Sequence, residues 1–254
     1  TPGVYLVVRH TGSVCDDAWL VLVESTRYTT LMTSSLTDFQ DLTDPQRAVL
    51  ALAEADEGLR TCFYLTGGTL LKALGIVPRH SNDLDFFTFH TVESHRYIEQ
   101  SARVGTLLRE LFGSGTMTET TQGFLHDSSG MLIDVVADSS PNIDDFIQYS
   151  TLKIASLKDL AAHKASALVS RDELKDYVDV ALLTEHQGWT LADLAAFAEA
   201  KFGLGTISEE KLLTELLAKR EQLTIDPAMF LRQADEYVQR VHEQVTRLLE
   251  GTPL

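Results

Sequence analysis

Cysteine is scarce in this sequence, which has only Cys15 and Cys62 among its 254 residues. Two thiols are too few for a disulfide framework or a thiolate zinc site, so we expect both to be reduced. Long apolar runs are also missing, and none approaches the roughly eighteen residues that a membrane span needs. The opening residues, TPGVYLVVRH, lack the basic and then apolar pattern of a signal peptide. These absences predict a cytoplasmic protein with no membrane partner.

Basic residues are few as well, with 21 Lys and Arg against 37 Asp and Glu and a formal net charge of −16. An acidic surface repels nucleic acid at long range, which argues against extended non-specific binding to a duplex. A local basic pocket and a basic protein partner both stay open. The P-loop and dinucleotide-binding glycine motifs do not occur around the double glycine at 67–68, and the G-x-S-x-G elbow of hydrolases is missing.

The composition is that of a globular protein, with 44% apolar residues and enough length for one large or two modest domains. We expect an N-terminal extension over 1–42 with a possible hairpin, an α+β domain over 43–150 and a helical domain over 151–254. A hairpin of strands is predicted over 117–125 and 131–137. The predicted helices of the last domain after the central motifs span 191–202, 208–222 and 227–250.

The most informative stretch is 64–89, which reads as a strand, a double-glycine turn, a helix, a loop and a second strand. Residues two apart on a strand project from the same face, so Asp83 and Asp85 present two carboxylates together while Leu84 and Phe86 point into the sheet. Two like charges this close favour a cation between them. An all-oxygen site of this kind suits Mg²⁺ or Mn²⁺, with a substrate phosphate completing the coordination.

The turn before this strand predicts a phosphate site. Gly67 and Gly68 lack Cβ atoms and so allow the backbone to approach a ligand, and Thr69 opens a helix whose N-terminal amides favour anions. Lys72 lies one turn into that helix, where a solvated side chain is preferred over one that faces phosphate. Arg79 either steadies the following loop or contacts a phosphate or base.

This order of motifs resembles the nucleotidyltransferase superfamily with a DNA polymerase β-like palm. More narrowly, it resembles the AbiEii/AbiGii family, the toxin half of type IV toxin–antitoxin and abortive-infection systems. The residues that match are Gly67, Gly68, Thr69, Arg79, Ser81, Asp83 and Asp85.

Asp134 lies inside the apolar segment MLIDVVAD. A lone buried carboxylate costs several kcal/mol unless it is paired or bound to a metal, whereas an edge-strand aspartate would face water. The resemblance implies that a third carboxylate comes from the strand beside Asp83 and Asp85, and Asp134 is the residue that matches. Asp138 is expected to end the strand.

A second block of the sequence carries the same resemblance, which extends over about 44–187. A capping box at Ser156 opens a helix with the family pattern D-L-x-x-x-K-x-x-A-L-x-x-R, followed by K-D-x-x-D. His163 departs from that pattern and is expected to face another side without consequence. The matching residues are Asp159, Leu160, Lys164, Ala167, Leu168, Arg171, Lys175, Asp176 and Asp179.

Helical spacing places Lys164, Ala167, Leu168 and Arg171 on one face, where two cations beside an apolar patch suit a triphosphate. Asp176 and Asp179 either orient these cations or act on the acceptor. A solvated network of charges is the competing interpretation.

The resemblance implies an α+β fold, in which a polymerase β-like palm with a mixed sheet is followed by a helical domain that closes the cleft. It also implies transfer of a nucleotide from an NTP to an acceptor, an RNA such as a tRNA 3′ end, with Mg²⁺ or Mn²⁺ and a cognate antitoxin as partner. An antibiotic- or protein-modifying nucleotidyltransferase and a non-catalytic nucleotide-binding module are the alternatives. The expected metal ligands are Asp83, Asp85 and Asp134, the expected catalytic residues add Lys164, Asp176 and Asp179, and the expected nucleotide-binding residues are Gly67, Gly68, Thr69, Arg79, Ser81, Lys164 and Arg171.

Overall fold

The structure is a computed structural model that describes residues 39–251, apart from 89, 92, 114, 120–122, 129–130, 172 and 223–224. The hairpin predicted within 1–42 therefore lies outside the described residues. At the start of the described chain, Phe39 is buried and stacks on Tyr149 with 4.1 Å between the ring centroids. The segment before the first helix is thus packed against the sheet domain.

A mixed sheet forms the centre of the molecule, and its described part has seven strands in the order β3-β4-β5-β2-β1-β7-β6. The pairs β1–β7 and β2–β5 are parallel, and the other neighbouring pairs are antiparallel. The strands are β1 (Tyr64–Thr66), β2 (Leu84–Thr88), β3 (Thr116–Glu119), β4 (Gly123–Ser128), β5 (Met131–Ala137), β6 (Ile147–Tyr149) and β7 (Leu152–Ile154).

Helices surround this sheet and form the C-terminal part of the chain. Ser156 and Thr190 begin two of them as N-caps, as the sequence predicts, because each hydroxyl accepts a hydrogen bond from the backbone three residues later. The described helices are α1 (Asp44–Ala55), α2 (Glu57–Cys62), α3 (Gly67–Ala73), α4 (His95–Phe112), α5 (Leu157–Ser170), α6 (Leu174–Gln187), α7 (Leu191–Phe202), α8 (Glu209–Gln222) and α9 (Ala234–Glu250), with a 3₁₀ turn at Pro227–Met229.

The two faces of the sheet differ because side chains alternate along β2 and β5. On one face Phe86, Ile133 and Val135 are buried and pack against α1, α2 and α4 around Val49 and Leu108. The opposite face carries Asp85 and Asp134 and is covered in part by α5. This alternation separates an apolar core from a polar cavity.

Two predicted elements differ from the observed ones. The first arm of the predicted hairpin, 117–125, is divided between β3 and β4, which are antiparallel neighbours. The helix predicted over 227–250 begins only at Ala234, because Gln233 has a left-handed backbone conformation after the 3₁₀ turn. The division at residue 150 stays a prediction; β7, which follows it, joins the sheet beside β1.

The α+β fold with a mixed sheet is as expected. Within the part of the chain that the structure describes, no helix combines the length and apolar character that a membrane span requires.

Candidate active site

Three aspartates line one wall of a cavity of about 520 Å³ between the sheet and α5. Asp85 on β2 lies directly opposite Asp134 on the parallel strand β5, and Asp83 precedes β2 by one residue. Leu84 and Phe86 are buried on the other side of the strand. We call Asp83, Asp85 and Asp134 the carboxylate row. The geometry brings together the three carboxylates that the sequence singled out.

The carboxylate row is electrostatically strained. Burial raises the pKa of Asp85 to about 6; Lys164 opposes that rise, and Asp134 and Asp83 add to it. Burial and the neighbouring Asp83 also raise the pKa of Asp134. Burial and the repulsion between neighbouring carboxylates both act in this direction, burial being the larger cause in each case.

The donor set of the row suits a hard divalent cation, because it consists of carboxylate oxygens from adjacent strands. Among the described residues, no three His, Cys, Asp or Glu side chains are already arranged to hold a metal ion. The carboxylates would therefore have to draw together around an ion. The positive charge of the ion, and not the movement itself, would offset the repulsion within the row.

A second charged group lies behind the row and consists of alternating cations and anions. Arg79 Nε is 2.6 Å from Asp179 Oδ1, and Lys164 Nζ is 2.6 Å from Asp179 Oδ2 and 3.2 Å from Asp176 Oδ1. Arg171 donates two hydrogen bonds to Asp176, at 2.6 and 3.0 Å. We call these five residues the ionic network. Each of its charges is in contact with an opposite one.

The ionic network is buried except at Arg171, so the interpretation as a solvated set of charges is wrong for its other four members. The side chains of Asp176 and Asp179 are 0% exposed and that of Lys164 is 8% exposed. Burial alone would raise the pKa of Asp179, but Lys164 and Arg79 lower it to about 2. The network thus holds the Asp179 carboxylate ionised inside the protein.

Of the predicted common face of Lys164, Ala167, Leu168 and Arg171, all but Leu168 line the cavity. Helix α5 ends at Ser170, so Arg171 lies in extended backbone beyond it, and Leu168 is buried in the core. Arg171 is nevertheless 46% exposed and lines the cavity, as does Lys175, whose side chain is 35% exposed. Lys175 matched the family pattern but was not assigned to the site from the sequence.

The double glycine makes room for protein side chains. Gly67 has φ +78°, and a Cβ there would lie 1.8 Å from Asp85 Oδ2. A Cβ on Gly68 would lie 2.5 Å from a terminal nitrogen of Arg79. A larger residue at either position would displace Asp85 or Arg79. Close approach of Asp85 and Arg79 therefore explains both glycines, whether or not a ligand also contacts this backbone.

The residues after the glycines hold the loop that leads to β2. Helix α3 begins at Gly67 rather than at Thr69, and Thr69 is fully buried with its hydroxyl bonded to Ser81 Oγ at 2.9 Å and to the carbonyl of Asp83. Lys72 is buried as well and donates to the carbonyl of Ser81 at 2.7 Å. The expected solvation of Lys72 is wrong, because its side chain faces the loop, and the Thr69 hydroxyl is bonded to the same loop. That Thr69 helps to position a phosphate stays a prediction.

The far end of the cavity is aromatic. His163 makes edge contacts with Phe87 and Phe202, with ring centroids 5.2 and 5.5 Å apart, and all three line the cavity. The His163 Nε2 atom lies 3.3 Å from Asp138 Oδ2, and Lys201 Nζ lies 3.4 Å from the same oxygen. The expectation that His163 faces away without consequence is wrong.

Asp138 follows β5, as expected, and is a buried anion. Burial alone would raise its pKa, but His163, Lys201 and the backbone N–H of Ser140 hold the pKa of Asp138 well below its usual range. The Tyr64 hydroxyl also donates to it at 3.2 Å. Asp138 therefore fixes the position of His163 at this end of the cavity.

Comparison with known proteins assigns the chain to a family. Residues 50–250 match the family described as Nucleotidyl transferase AbiEii toxin, Type IV TA system. The chain belongs to the AbiEii family. The resemblance inferred from the two motif blocks is therefore confirmed, and the protein is a nucleotidyltransferase of a toxin–antitoxin family.

One relative in sequence and two solved structures match most of the chain. The chain is 28% identical over 191 residues to uncharacterized protein aq_aa25 of Aquifex aeolicus (strain VF5), which covers 72% of this chain and 87% of that protein. The crystal structure of JHP933 from Helicobacter pylori superposes with a TM-score of 0.50 at 14% identity and covers 83% of this chain and 94% of that one. A second H. pylori structure gives the same TM-score at 16% identity, covering 83% and 97%. At these identities the two structures confirm the fold alone.

Sequence reasoning missed several cavity residues of this AbiEii protein. Lys175 matched the family pattern, but nothing in the sequence gave it a role. Thr66, which precedes the double glycine, belongs to neither motif block. The aromatic end depends on contacts between β2, α5 and α7 that no local spacing reveals. Thr66 could have been found only by predicting that β1 and β2 are antiparallel with Thr66 opposite Asp85, as the structure has them.

Proposed function

We propose that this enzyme transfers a nucleotide from an NTP to the 3′ end of an RNA such as a tRNA, and that it requires Mg²⁺ or Mn²⁺. We propose further that it acts in the cytoplasm and that a cognate antitoxin restrains it. The observation that carries the proposal is the carboxylate row, whose three members share one cavity wall with no ion pair among the described residues.

The row supports this chemistry because its residues suit both charge compensation and proton transfer. Asp83, Asp85 and Asp134 would hold the metal. A bound divalent cation would supply positive charge against the reacting phosphate. Asp134, which lies opposite Asp85 on the same cavity wall, is assigned as the group that accepts the proton of the acceptor hydroxyl.

The proposed reaction is an in-line displacement at phosphorus. The acceptor hydroxyl oxygen bonds to the α-phosphorus, and the bond from that phosphorus to the oxygen shared with the β-phosphate breaks, so that pyrophosphate leaves. The hydroxyl proton passes to Asp134. Asp176 and Asp179 act here through the cations they orient, and Lys164 contributes positive potential from behind Asp85.

The two ends of the cavity suggest how the NTP lies. Arg171 and Lys175 supply exposed positive charge at one end, and Phe87, His163 and Phe202 supply aromatic surface at the other. Arg171 is eight positions after His163 in the sequence, and eight positions correspond to about 12 Å at the rise of an α-helix. We therefore propose that the triphosphate lies toward the cations and the nucleoside toward the rings.

The test incubates the protein with each of four labelled NTPs, total cellular RNA, and either Mg²⁺ or Mn²⁺. We expect labelled RNA with at least one NTP, and no label when a chelator is present or when periodate has destroyed the RNA 3′ diol. The Asp85→Asn variant should be inactive. Asp144→Asn, which changes an exposed carboxylate paired with Lys158, serves as the matched control and should be active.

Other outcomes would redirect or contradict the proposal. Label on an aminoglycoside or a protein in place of RNA would show that RNA is not the acceptor. Activity in the presence of a chelator would show that the reaction does not require a divalent metal. Calorimetric binding of an NTP without turnover on any of these acceptors would favour the non-catalytic module.

A further inference from the structure

Thr66 is a buried residue at the junction of β1 and α3 that the proposed reaction does not yet use. It is 2% exposed and belongs to the wall of the same cavity as the carboxylate row. In the antiparallel register of β1 and β2, Thr66 lies opposite Asp85. Opposed residues in such a ladder project from the same face of the sheet. Thr66 and Asp85 therefore share the face that carries the carboxylates.

The Thr66 hydroxyl does not perform the usual task of its position. Thr66 is the N-cap of α3, where a threonine hydroxyl ordinarily accepts a hydrogen bond from the first turn of the helix. Thr43 and Thr190 do so at the starts of α1 and α7. Thr66 makes no such bond, and its Oγ1 has no hydrogen-bond partner among the described residues.

Packing alone gives no reason for a hydroxyl here. A buried hydroxyl without a partner destabilises the folded state, because its hydrogen bonds to water are lost and not replaced. Valine has nearly the same shape, favours a strand equally well and carries no such cost. The hydroxyl is accounted for by a partner that enters with a ligand.

We propose that the Thr66 hydroxyl donates a hydrogen bond to a phosphate oxygen of the NTP, an inference that rests on the proposed nucleotidyl transfer. Thr66 lies in line with Asp85 and Asp134 across the sheet, at the level where the phosphate would react. Phe87, two residues farther along β2, already belongs to the aromatic end assigned to the nucleoside. A hydroxyl meets an anionic oxygen in a short and strong hydrogen bond.

The hydroxyl oxygen is itself buried, so the phosphate has to enter the depth of the cavity to reach it. Thr66 lies on the same wall as the carboxylate row, so a phosphate that reaches its hydroxyl lies beside Asp85. Thr66 is therefore a substrate-binding residue.

The test compares Thr66→Val, which removes the hydroxyl and keeps the shape, with Thr66→Ser, which keeps the hydroxyl. Binding of inorganic tripolyphosphate and of a non-hydrolysable NTP is measured by calorimetry with Mn²⁺, and thermal unfolding is measured without ligand. We expect Thr66→Val to weaken binding of both ligands about tenfold, as the loss of one hydrogen bond to a charged group predicts, with Thr66→Ser within about twofold of the wild type. The midpoint of thermal unfolding of Thr66→Val should equal or exceed that of the wild type.

Each contrary result has a separate meaning. Unchanged binding of both ligands by Thr66→Val would overturn the inference, and so would a fall in its thermal midpoint, which would reveal a structural partner. Weaker binding of the NTP alone would assign the hydroxyl to the nucleoside and overturn the phosphate contact. Loss of tripolyphosphate affinity in an enzyme that transfers nothing would support the contact while contradicting the proposed function.

Discussion

The carboxylate row and the ionic network border the same cavity but differ in how their charges are balanced. In the row, burial and repulsion raise the pKa of Asp85 and Asp134, and the described residues supply no ion pair. In the network, neighbouring cations lower the pKa of Asp179 despite its complete burial. One group is short of positive charge, and the other is neutralised within the protein.

This difference suggests that one group of charged residues serves activity and the other serves stability, although the family motifs contain both. A balanced buried network holds its members in place, and removing one partner leaves an uncompensated charge. An unbalanced group inside a cavity has pKa values displaced in the direction expected of a functional site. We therefore expect variants of the row to lose activity and variants of the network to lose stability.

The largest effect should come from Asp85→Asn. It keeps the shape and removes the charge, and we expect transfer to fall by about a thousandfold or more, as for loss of a central electrostatic group. Its thermal midpoint should be unchanged or higher, because a neutral amide relieves repulsion within the row. Radiolabel transfer and calorimetric unfolding measure the two effects, and a large loss of stability would contradict the contrast between the groups.

The next effect should come from Asp179→Asn in the network. It leaves Arg79 and Lys164 buried beside a neutral group, and we expect the free energy of unfolding to fall by about 3 kcal/mol. Denaturation by urea measures this loss. Asp144→Asn, which removes an exposed partner of Lys158, should change the free energy of unfolding by less than about 1 kcal/mol. Equal effects of the two variants would mean that burial does not determine how much these ion pairs contribute to the free energy of unfolding.

A smaller effect should come from Lys175→Gln. Lys175 lines the cavity but lies outside the network, and it is paired only with the part-exposed Glu173 among the described residues. If it receives phosphate, its loss should weaken binding of tripolyphosphate about tenfold, or about 1.4 kcal/mol, without lowering the thermal midpoint. Calorimetric titration tests this expectation.

Lys158→Gln is the matched control for Lys175→Gln. Lys158 has similar exposure, also pairs with one part-exposed carboxylate and lies outside the cavity. Its substitution should leave tripolyphosphate affinity unchanged. Equal losses in both variants would indicate a general effect of net charge rather than a contact in the cavity.

The parts of the site that could be predicted depend on local geometry. Alternation along β2 was enough to put Asp85 on the face opposite Leu84 and Phe86, and the cap at Ser156 marked the start of α5. Asp83 lies one residue before the strand rather than on it, and lines the same cavity from there. The position of Asp134 beside them followed from the family resemblance, and the parallel pairing of β2 with β5 agrees with it. Each of these features is determined by neighbours in sequence or by the arrangement of strands that the family resemblance implies.

The parts that could not be predicted depend on contacts between distant segments. Arg79 and Asp179 are 100 residues apart in sequence, and nothing in local spacing indicates that they share two hydrogen bonds. The burial of Lys164 follows from the same packing of α5 against α6. Likewise, the double glycine reflects the space that Asp85 and Arg79 occupy, which becomes evident only in three dimensions.

The smallest predicted effect is the pH dependence of the ionic network. The pKa of Asp179 is about 2 in the folded protein and 3.8 as an ordinary aspartate, so its carboxylate stabilises the fold above pH 4 and loses this contribution as the pH falls toward 2. Between pH 7 and pH 3 we expect the difference in unfolding free energy between the wild type and Asp179→Asn to shrink by about 1 kcal/mol. Urea denaturation at several pH values in one ionic strength measures this difference, in which the other carboxylates cancel. A difference that is constant down to pH 3 would mean that the cations around Asp179 do not hold its pKa low, and the contrast with the carboxylate row would then fail.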